Sequence, residues 1–289
     1  MNIFELSNNL LSKLNDLKVN SPSLHLVLGS SFSDIFSEQS FKAQWEEKAQ
    51  ITFSEAGFKG STAPGHRGVF HYLQNKKTKS TITCQVGRLH GYEGTTPQDA
   101  IAPVLAHRLL GTKKFILTNA AGALTKKFKV GSLMIIKDHV NLTGLNPLVG
   151  ANPVNSEGMH LGQRFPDMSQ AYDLELSNKL ENYFKKSDLQ VNHGVYLGLL
   201  GPSFETPAEI KLFSQWGLHA VGMSTVWETI ALRHGGARVA GVSLISNLGC
   251  GLSDEPLNHD EILKICKTPT QKMLQCLLNF AENEGASDE

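Results

Sequence analysis

Long apolar runs, net charge and cysteine are all scarce in this 289-residue chain, and each scarcity removes a class of function. No uninterrupted apolar stretch approaches the roughly 18 residues that a bilayer-spanning helix requires, so no membrane segment is expected. Residues 1–20 carry Ile3, Phe4, Leu6, Leu10, Leu11, Leu14 and Leu17 at amphipathic helix spacing, unlike the apolar block of a signal peptide. Lys plus Arg and Asp plus Glu both total 27. That balance argues against a protein that coats nucleic acid or a membrane surface through bulk charge, so any anion site must be local. Cys84, Cys250, Cys266 and Cys276 fall into no CxxC or Cys/His ligand spacing. Neither a metal site nor a disulfide framework is expected, and free buried thiols in a reducing, cytoplasmic setting are the simplest reading. Motifs are missing too. Gly29-Ser30-Ser31-Phe32-Ser33 has the spacing of neither a P-loop nor a dinucleotide fingerprint, and no Gly-x-Ser-x-Gly elbow occurs, which leaves a nucleotide cofactor and a Ser-His-Asp hydrolase unsupported.

What is present is a chain 40% hydrophobic and 19% charged, enough for a substantial core. A first helix precedes a buried strand at 24–28 and a hairpin, 68–73 with 80–86, across a Lys-rich turn. Helices and strands then alternate: helix 97–110, strands 114–118 and 132–137, helix 170–185, strand 193–199, helix 208–216, strand 219–222, helix 226–234, strand 238–246 and a closing helix 260–282. This rhythm predicts an α/β fold with a central mixed β-sheet flanked by helices. No linker or composition shift divides residues 1–289, so a single domain is expected. Residues 144–167, rich in Gly, Pro and Asn, read as a loop; one longer than about 15 residues in a compact domain is usually functional or interfacial.

The most informative local stretch is Gly201-Pro202-Ser203-Phe204-Glu205-Thr206, which sets an aromatic face beside a carboxylate. That pair suits a flat heterocycle with N–H donors, the ring covering its face and the carboxylate accepting from its edge. A plain helix entry, with Ser203 or Thr206 as cap, fits equally well. Ligands of open α/β sheets bind at the carboxyl ends of strands, and those ends are polar here: Gly29-Ser30, Gly87 to His90, Asn119 to Gly122, Gly222 to Ser224 and Ser246-Asn247. Ser30, Arg88, His90, the Ala120 amide and Ser224 would together hold an anion. Taken singly, Arg88 reads as a surface cation beside Glu93, Ser30 as a turn residue and Ser224 as a helix cap. His66, in a glycine-flanked loop, reads either as an anion contact or as an ordinary loop histidine, and His259 stands before the last helix, where Asn258 or Asp260 would cap it. The histidines at 107, 139, 160, 193, 219 and 234 read as structural, since none forms a metal-ligand set.

The set as a whole resembles the trimeric purine nucleoside phosphorylases. The likeness runs through GS at 29–30, STAPGH at 61–66, GRLHGYEG at 87–94, TNAAGAL at 118–124, KDHVNLTG at 137–144, RFPDMSQAYD at 164–173, GPSFETPAEI at 201–210, VGMSTVWE at 221–228, SLISN at 243–247 and NH at 258–259. The resemblance implies a nucleoside phosphorylase fold, a homotrimer, and a transferase of purine salvage that cleaves 6-oxopurine ribo- and deoxyribonucleosides with phosphate to free base and (deoxy)ribose 1-phosphate. It implies inorganic phosphate as co-substrate and no metal or organic cofactor. Phosphate would meet Ser30, His66, Arg88, His90, the Ala120 amide and Ser224. Ribose would meet Tyr92, Met223 and His259, with Phe165 reaching in from a neighbouring subunit. The base would meet Phe204, Glu205, Val221, Asn247 and Tyr196, and the catalytic roles fall to Asn247, Glu205 and His90.

An amide at 247 can donate to a 6-oxo group, where the related methylthioadenosine phosphorylases carry an aspartate suited to a 6-amino group. Inosine and guanosine are therefore expected over adenosine, and GLSDEPLNH at 251–259 with GLNPLVG at 144–150 leaves xanthosine open as a further substrate. The chain departs from the family in GSSFSD at 29–34 for a glycine-rich loop, Trp227 for proline, Ser246 for threonine, and Leu89 and Gly91 for bulkier neighbours of His90. The crowded 29–34 loop keeps a rival reading in play, a nucleoside- or base-binding paralogue with reduced turnover.

Overall fold

The computed structural model describes residues 2–29, 39–62, 68–252 and 259–285. The N-terminal pattern folds as α1 (Ile3–Asp16), capped by Asn2, whose side chain accepts from the Phe4 amide, with Leu6, Leu10 and Leu14 on its buried face. The apolar run that follows is β1 (Leu24–Leu28), buried at every position as a strand covered on both faces must be. α2 (Gln39–Gln44) and β2 (Trp45–Thr52) were not expected. β2 is an edge strand with exposed Glu46, Glu47 and Lys48 and a bulge between Glu47 and Ala49, so charge and irregular alternation conceal it in the sequence. β3 (Val69–Asn75) and β4 (Thr81–Val86) form the expected antiparallel hairpin.

The alternation then holds through α3 (Pro97–Leu109), β5 (Lys114–Ala123), β6 (Leu133–Asn141), α4 (Leu174–Lys185), β7 (Val191–Gly198), α5 (Pro207–Gln215), β8 (Ala220–Gly222), α6 (Val226–His234), β9 (Arg238–Leu248) and α7 (His259–Glu284). β5 and β6 run past their expected ends at 118 and 137, and β9 past 246. Asn, Gly and Ser are weak strand formers, but here the ladder with neighbouring strands overrides that preference.

The sheet order is β2-β3-β4-β1-β5-β8-β7-β6-β9, and β9 closes back onto β5. β5 therefore joins an open wing, β2-β3-β4-β1, to a closed ring of β5, β8, β7, β6 and β9. With β9 along one edge of β5 from Lys114 to Ala123, the other edge is shared: β1 pairs as far as Leu117, and β8 pairs at Gly122 and Ala123. Between those points that edge has no partner among the described strands. Leu10 of α1, Val104 of α3 and Ala231 of α6 belong to one core, Leu180 of α4 and Leu277 of α7 to a second, and Ile210 and Phe213 of α5 cover a third, smaller one.

Two fully buried histidines meet at the wing, His25 of β1 and His107 of α3. His107 Nδ1 donates to the Pro103 carbonyl at 2.8 Å, so its Nε2 accepts from the Tyr72 hydroxyl at 2.9 Å. The His25 ring lies 4.2 Å from that of His107, and its Nε2 meets Gln85 Oε1 at 3.1 Å. Burial pushes His107 down to about 4 and His25 well below the usual imidazole value, so both are neutral near pH 7. The four cysteines are free, but Cys250 is exposed, against the expectation of buried thiols, because it lies between Gly249 and Gly251 beyond the end of β9.

Candidate active site

Where the sheet splits, Ala120 is exposed and Gly122 half-buried, while Asn119, Ala121 and Ala123 are buried. Alternate residues of a strand share a face and stand about 7 Å apart, so Ala120 and Gly122 mark two ends of one open surface.

Arg88 serves the Ala120 end. It follows β4 after Gly87, whose amide donates to the Leu28 carbonyl and whose carbonyl accepts from Gln85 Nε2. It is no surface cation beside Glu93, being only 3% exposed. Its Nε and Nη2 donate to the two Glu228 carboxylate oxygens at 3.2 and 3.0 Å, and Nη1 donates to the Thr118 carbonyl, on the unpaired edge of β5, at 2.8 Å. Three of the five guanidinium N–H groups are thus engaged, which leaves two for an anion. Sequence reasoning missed Glu228, because an acid in the first turn of a helix reads as ordinary dipole complement.

α6 starts on Thr225, whose φ of 75° is unfavourable for a branched residue, by about 1–3 kcal/mol. Asn119 Nδ2 donates to Thr225 Oγ1 at 2.8 Å, and the Thr225 carbonyl accepts from the Thr229 amide and hydroxyl, each at 2.9 Å. Among the described residues no side chain caps α6, so Ser224 does not take the cap role its sequence allows. An uncapped helix N-terminus beside a hydroxyl favours an anion. Arg88, Met223, Ser224, Trp227 and Glu228 line one narrow cleft. A larger cavity of about 680 Å³ between α1, α3 and residues 147–154 contains none of these residues.

His90 is 7% exposed. Its Nδ1 donates to Glu93 Oε1 at 3.1 Å and its amide donates to the same oxygen at 3.0 Å. Glu93 Oε2 accepts from Ser61 Oγ, the Thr62 amide and Thr62 Oγ1 at 3.0, 2.6 and 2.9 Å. Burial pushes the Glu93 carboxyl up, but the hydrogen bonds from Thr62 and His90 outweigh it and bring it to about 2. An ionised Glu93 therefore fixes the His90 ring and ties segment 87–93 to residues 61–62. The Tyr92 ring stacks on His90 at 4.7 Å. In the sequence Glu93 read only as a neighbour of Arg88; in the structure it holds His90 instead.

At the other end, Gly122 lies in register between Val221 of β8 and Asn247 of β9. A Cβ on Gly122 would stand 3.2 Å from Asn247 Nδ2 and 3.6 Å from Val221 Cγ1, so glycine lets the amide settle beside the strand. The register of β9 skips Ser246, and such a bulge re-aims the next side chain. Ser246 Oγ donates to Asn247 Oδ1 at 2.7 Å, and Asn247 Nδ2 donates to the Leu248 carbonyl at 3.1 Å. Because a carbonyl only accepts, the nitrogen must face Leu248, and its second N–H remains for a ligand.

The 201–206 turn serves the same end. Gly201 has φ 72°, and Met223 Sδ occupies the space a Cβ would need, which seats the turn against Met223. Thr206 caps α5 in a capping box with Glu209, so the helix-entry role is taken by those two residues, and Glu205 stands outside it. Glu205 is half-buried, and burial raises its carboxyl above the usual range.

The aromatic expectations fare differently. Phe204 is 72% exposed at the rim, so its ring covers nothing here, and Phe165 is 85% exposed on the long loop. Tyr196 of β7 is fully buried and has no open ring face: its hydroxyl sits against Gly222, and burial pushes the phenol up to about 12. Ser30 and His66 lie outside the described residues, and His259 is described only as the first residue of α7.

Residues 43–282 match the model of the phosphorylase superfamily. Purine nucleoside phosphorylase 1 of Bacillus subtilis is 41% identical over 247 residues, covering 85% of this chain and 86% of that protein. Purine nucleoside phosphorylase 1 of Geobacillus stearothermophilus is 40% identical over 263 residues, covering 91% and 90%. Among solved structures, a Schistosoma purine nucleoside phosphorylase in complex with hypoxanthine superposes with a TM-score of 0.81 at 28% identity over 98% of both chains.

Proposed function

This chain belongs to the purine nucleoside phosphorylase family, and from that membership and the split in its sheet we propose that it cleaves 6-oxopurine ribo- and deoxyribonucleosides with phosphate. One observation carries the reading. Arg88, bonded to the Thr118 carbonyl, and Ser224, next to the Thr225 that Asn119 holds, serve one stretch of β5, and Asn247 stands beside Gly122 further along the same strand, about one sugar beyond Ala120. A nucleoside laid along that strand would present its base to Asn247 and Glu205 and its C1′ toward a phosphate held by Arg88, Ser224 and the Ala120 amide.

As the glycosidic bond lengthens, the sugar becomes cationic and the purine gains negative charge, so a useful site stabilises both. Phosphate below the ring is nucleophile and counter-charge: one of its oxygens bonds to C1′ while the C–N electron pair leaves with the purine. The free Asn247 N–H donates to the departing purine at its imidazole nitrogen or 6-oxo oxygen, and Glu205 accepts from the N–H edge. His90, fixed by Glu93, contacts phosphate, and Tyr92 and Met223 bound the sugar. His66 and Ser30 complete the phosphate end, and His259 meets the sugar. Phe165 supports a homotrimer, its exposed ring suited to a neighbouring copy's ribose site. The 289 residues work as one domain in cytoplasmic purine salvage with no cofactor beyond phosphate. With phosphate present, the purified chain releases base from inosine and guanosine faster than from adenosine, and xanthosine in the same series decides the third substrate. Adenosine cleaved fastest would overturn the 6-oxo assignment.

A further inference from the structure

Trp227 is a large side chain in a tight place. It is 9% exposed, sits in the first turn of α6 and lines the cleft with Arg88, Met223 and Ser224. Its contacts reach two other walls of the site. A Cβ on Gly91 would stand 2.6 Å from Trp227 Cη2, 3.2 Å from Cζ3 and 2.5 Å from Leu200 Cδ1. Gly91 is not among the residues with positive φ, so the backbone does not demand glycine there; the indole and Leu200 exclude a side chain. The indole Nε1 donates to Thr143 Oγ1 at 3.0 Å. That hydroxyl donates to Asn141 Oδ1 at 2.7 Å and accepts from the Leu145 amide at 3.2 Å, while Asn141 Nδ2 donates to the Leu145 carbonyl at 2.9 Å. The tryptophan therefore bonds the turn that opens the long 144–167 loop.

Its neighbour Glu228 holds Arg88. Consecutive residues of one helical turn thus touch both sides of Leu89-His90: Glu228 grips Arg88 by charge, and Trp227 abuts Gly91 by shape. We infer that Trp227 is a positioning residue of this site, setting through Gly91 the seat of His90 and Tyr92 against α6 and anchoring through Thr143 the turn at 141–145. The inference rests on the reading above that His90 faces phosphate and Tyr92 the sugar. A wedge needed only to fill space would not need a donor. The indole N–H aimed at Thr143 is what a residue coupling two walls requires.

The test is steady-state kinetics on Trp227→Ala, Gly91→Ala, their double variant and Trp227→Phe, with Arg88→Lys as control. Each single alanine variant raises KM for phosphate and inosine about tenfold with a smaller change in kcat, the size expected when contacting residues lose their fit. The double variant returns toward the parent, because the methyl group introduced at position 91 and the Leu200 methyl move into the space the indole leaves. Trp227→Phe keeps an aromatic ring and loses the Thr143 bond, and falls between. A purely structural role would lower melting temperature and active fraction at unchanged KM. Unchanged KM in the single variants, or simple addition of their effects in the double, overturns the inference. If an alanine variant fails to fold, an unchanged KM in Trp227→Phe overturns it alone. Arg88→Lys separates the two levels: if it leaves the phosphate KM unchanged, the site reading has failed, and if it raises KM while the Trp227 variants do not, only this inference has.

Discussion

Glu228→Gln keeps the length of the side chain and removes the charge that Arg88 faces. Both side chains are nearly sealed from solvent, 3% and 6% exposed, so water cannot replace what is lost. Of the two hydrogen bonds between them, the amide retains one acceptor and turns an NH2 group toward a guanidinium donor. Losing a charge-assisted bond is worth about 1.5–3 kcal/mol, and breaking a buried pair outright about 3–5. A destabilisation of about 2–4 kcal/mol follows. At about 2–3 °C per kcal/mol for a chain of this size, Tm falls by about 5–10 °C. The same reasoning predicts a second effect. Phosphate bound at the two spare Arg88 N–H groups supplies the missing negative charge, so the Tm rise on adding phosphate is larger in the variant than in the parent. The assay is thermal unfolding of both proteins at one protein concentration, with and without phosphate, since binding and assembly both move Tm. An unchanged Tm would refute the buried pair, and an equal or smaller phosphate shift would refute phosphate binding at Arg88.

Asn247→Asp removes the N–H proposed to meet the 6-oxo group and supplies an acceptor for a 6-amino group. The inosine-to-adenosine ratio of kcat/KM should fall by at least about tenfold, the discrimination a single mismatched hydrogen bond provides; an unchanged ratio would remove Asn247 from base reading. Acid stability tests the buried His107. Its proton affinity is lowered in the folded state, so the stability it contributes is full above about pH 6.5 and is lost as pH falls toward 4. Urea unfolding should show about 2 kcal/mol less stability at pH 5 than at pH 7 from this residue, with His25 adding in the same direction, and equal stabilities at the two values would contradict a buried neutral pair.

From residue 97 onward α4 was legible from its amphipathic spacing and β5 and β9 from their apolar runs, and β1 was legible because four of its five residues are apolar. β2 was hidden because an edge strand carries charge for its own protection. The candidate site was legible as residue types at strand ends. Its supports were not: Glu228 holding Arg88, Glu93 holding His90, Asn119 holding the strained Thr225 and Ser246 bulging beneath Asn247 depend on contacts between distant segments or on a register skip. The pairing of Gly91 with Trp227 is of the same kind. One position lacks a side chain and the other, 136 residues away, carries a large one, and only packing joins the two facts. The 201–206 turn resolves the other way. The helix-entry reading holds through Thr206, which caps α5 with Glu209, and it leaves Glu205 half-buried outside the cap with Phe204 exposed beside it.

In the proposed reaction phosphate, not water, attacks C1′ of the sugar. Inosine incubated with the purified chain, assayed for hypoxanthine and for ribose 1-phosphate with and without inorganic phosphate, tests it most directly. Base release is expected only with phosphate, matched one to one by ribose 1-phosphate. Hypoxanthine appearing at the same rate without phosphate, with free ribose as the second product, would contradict it.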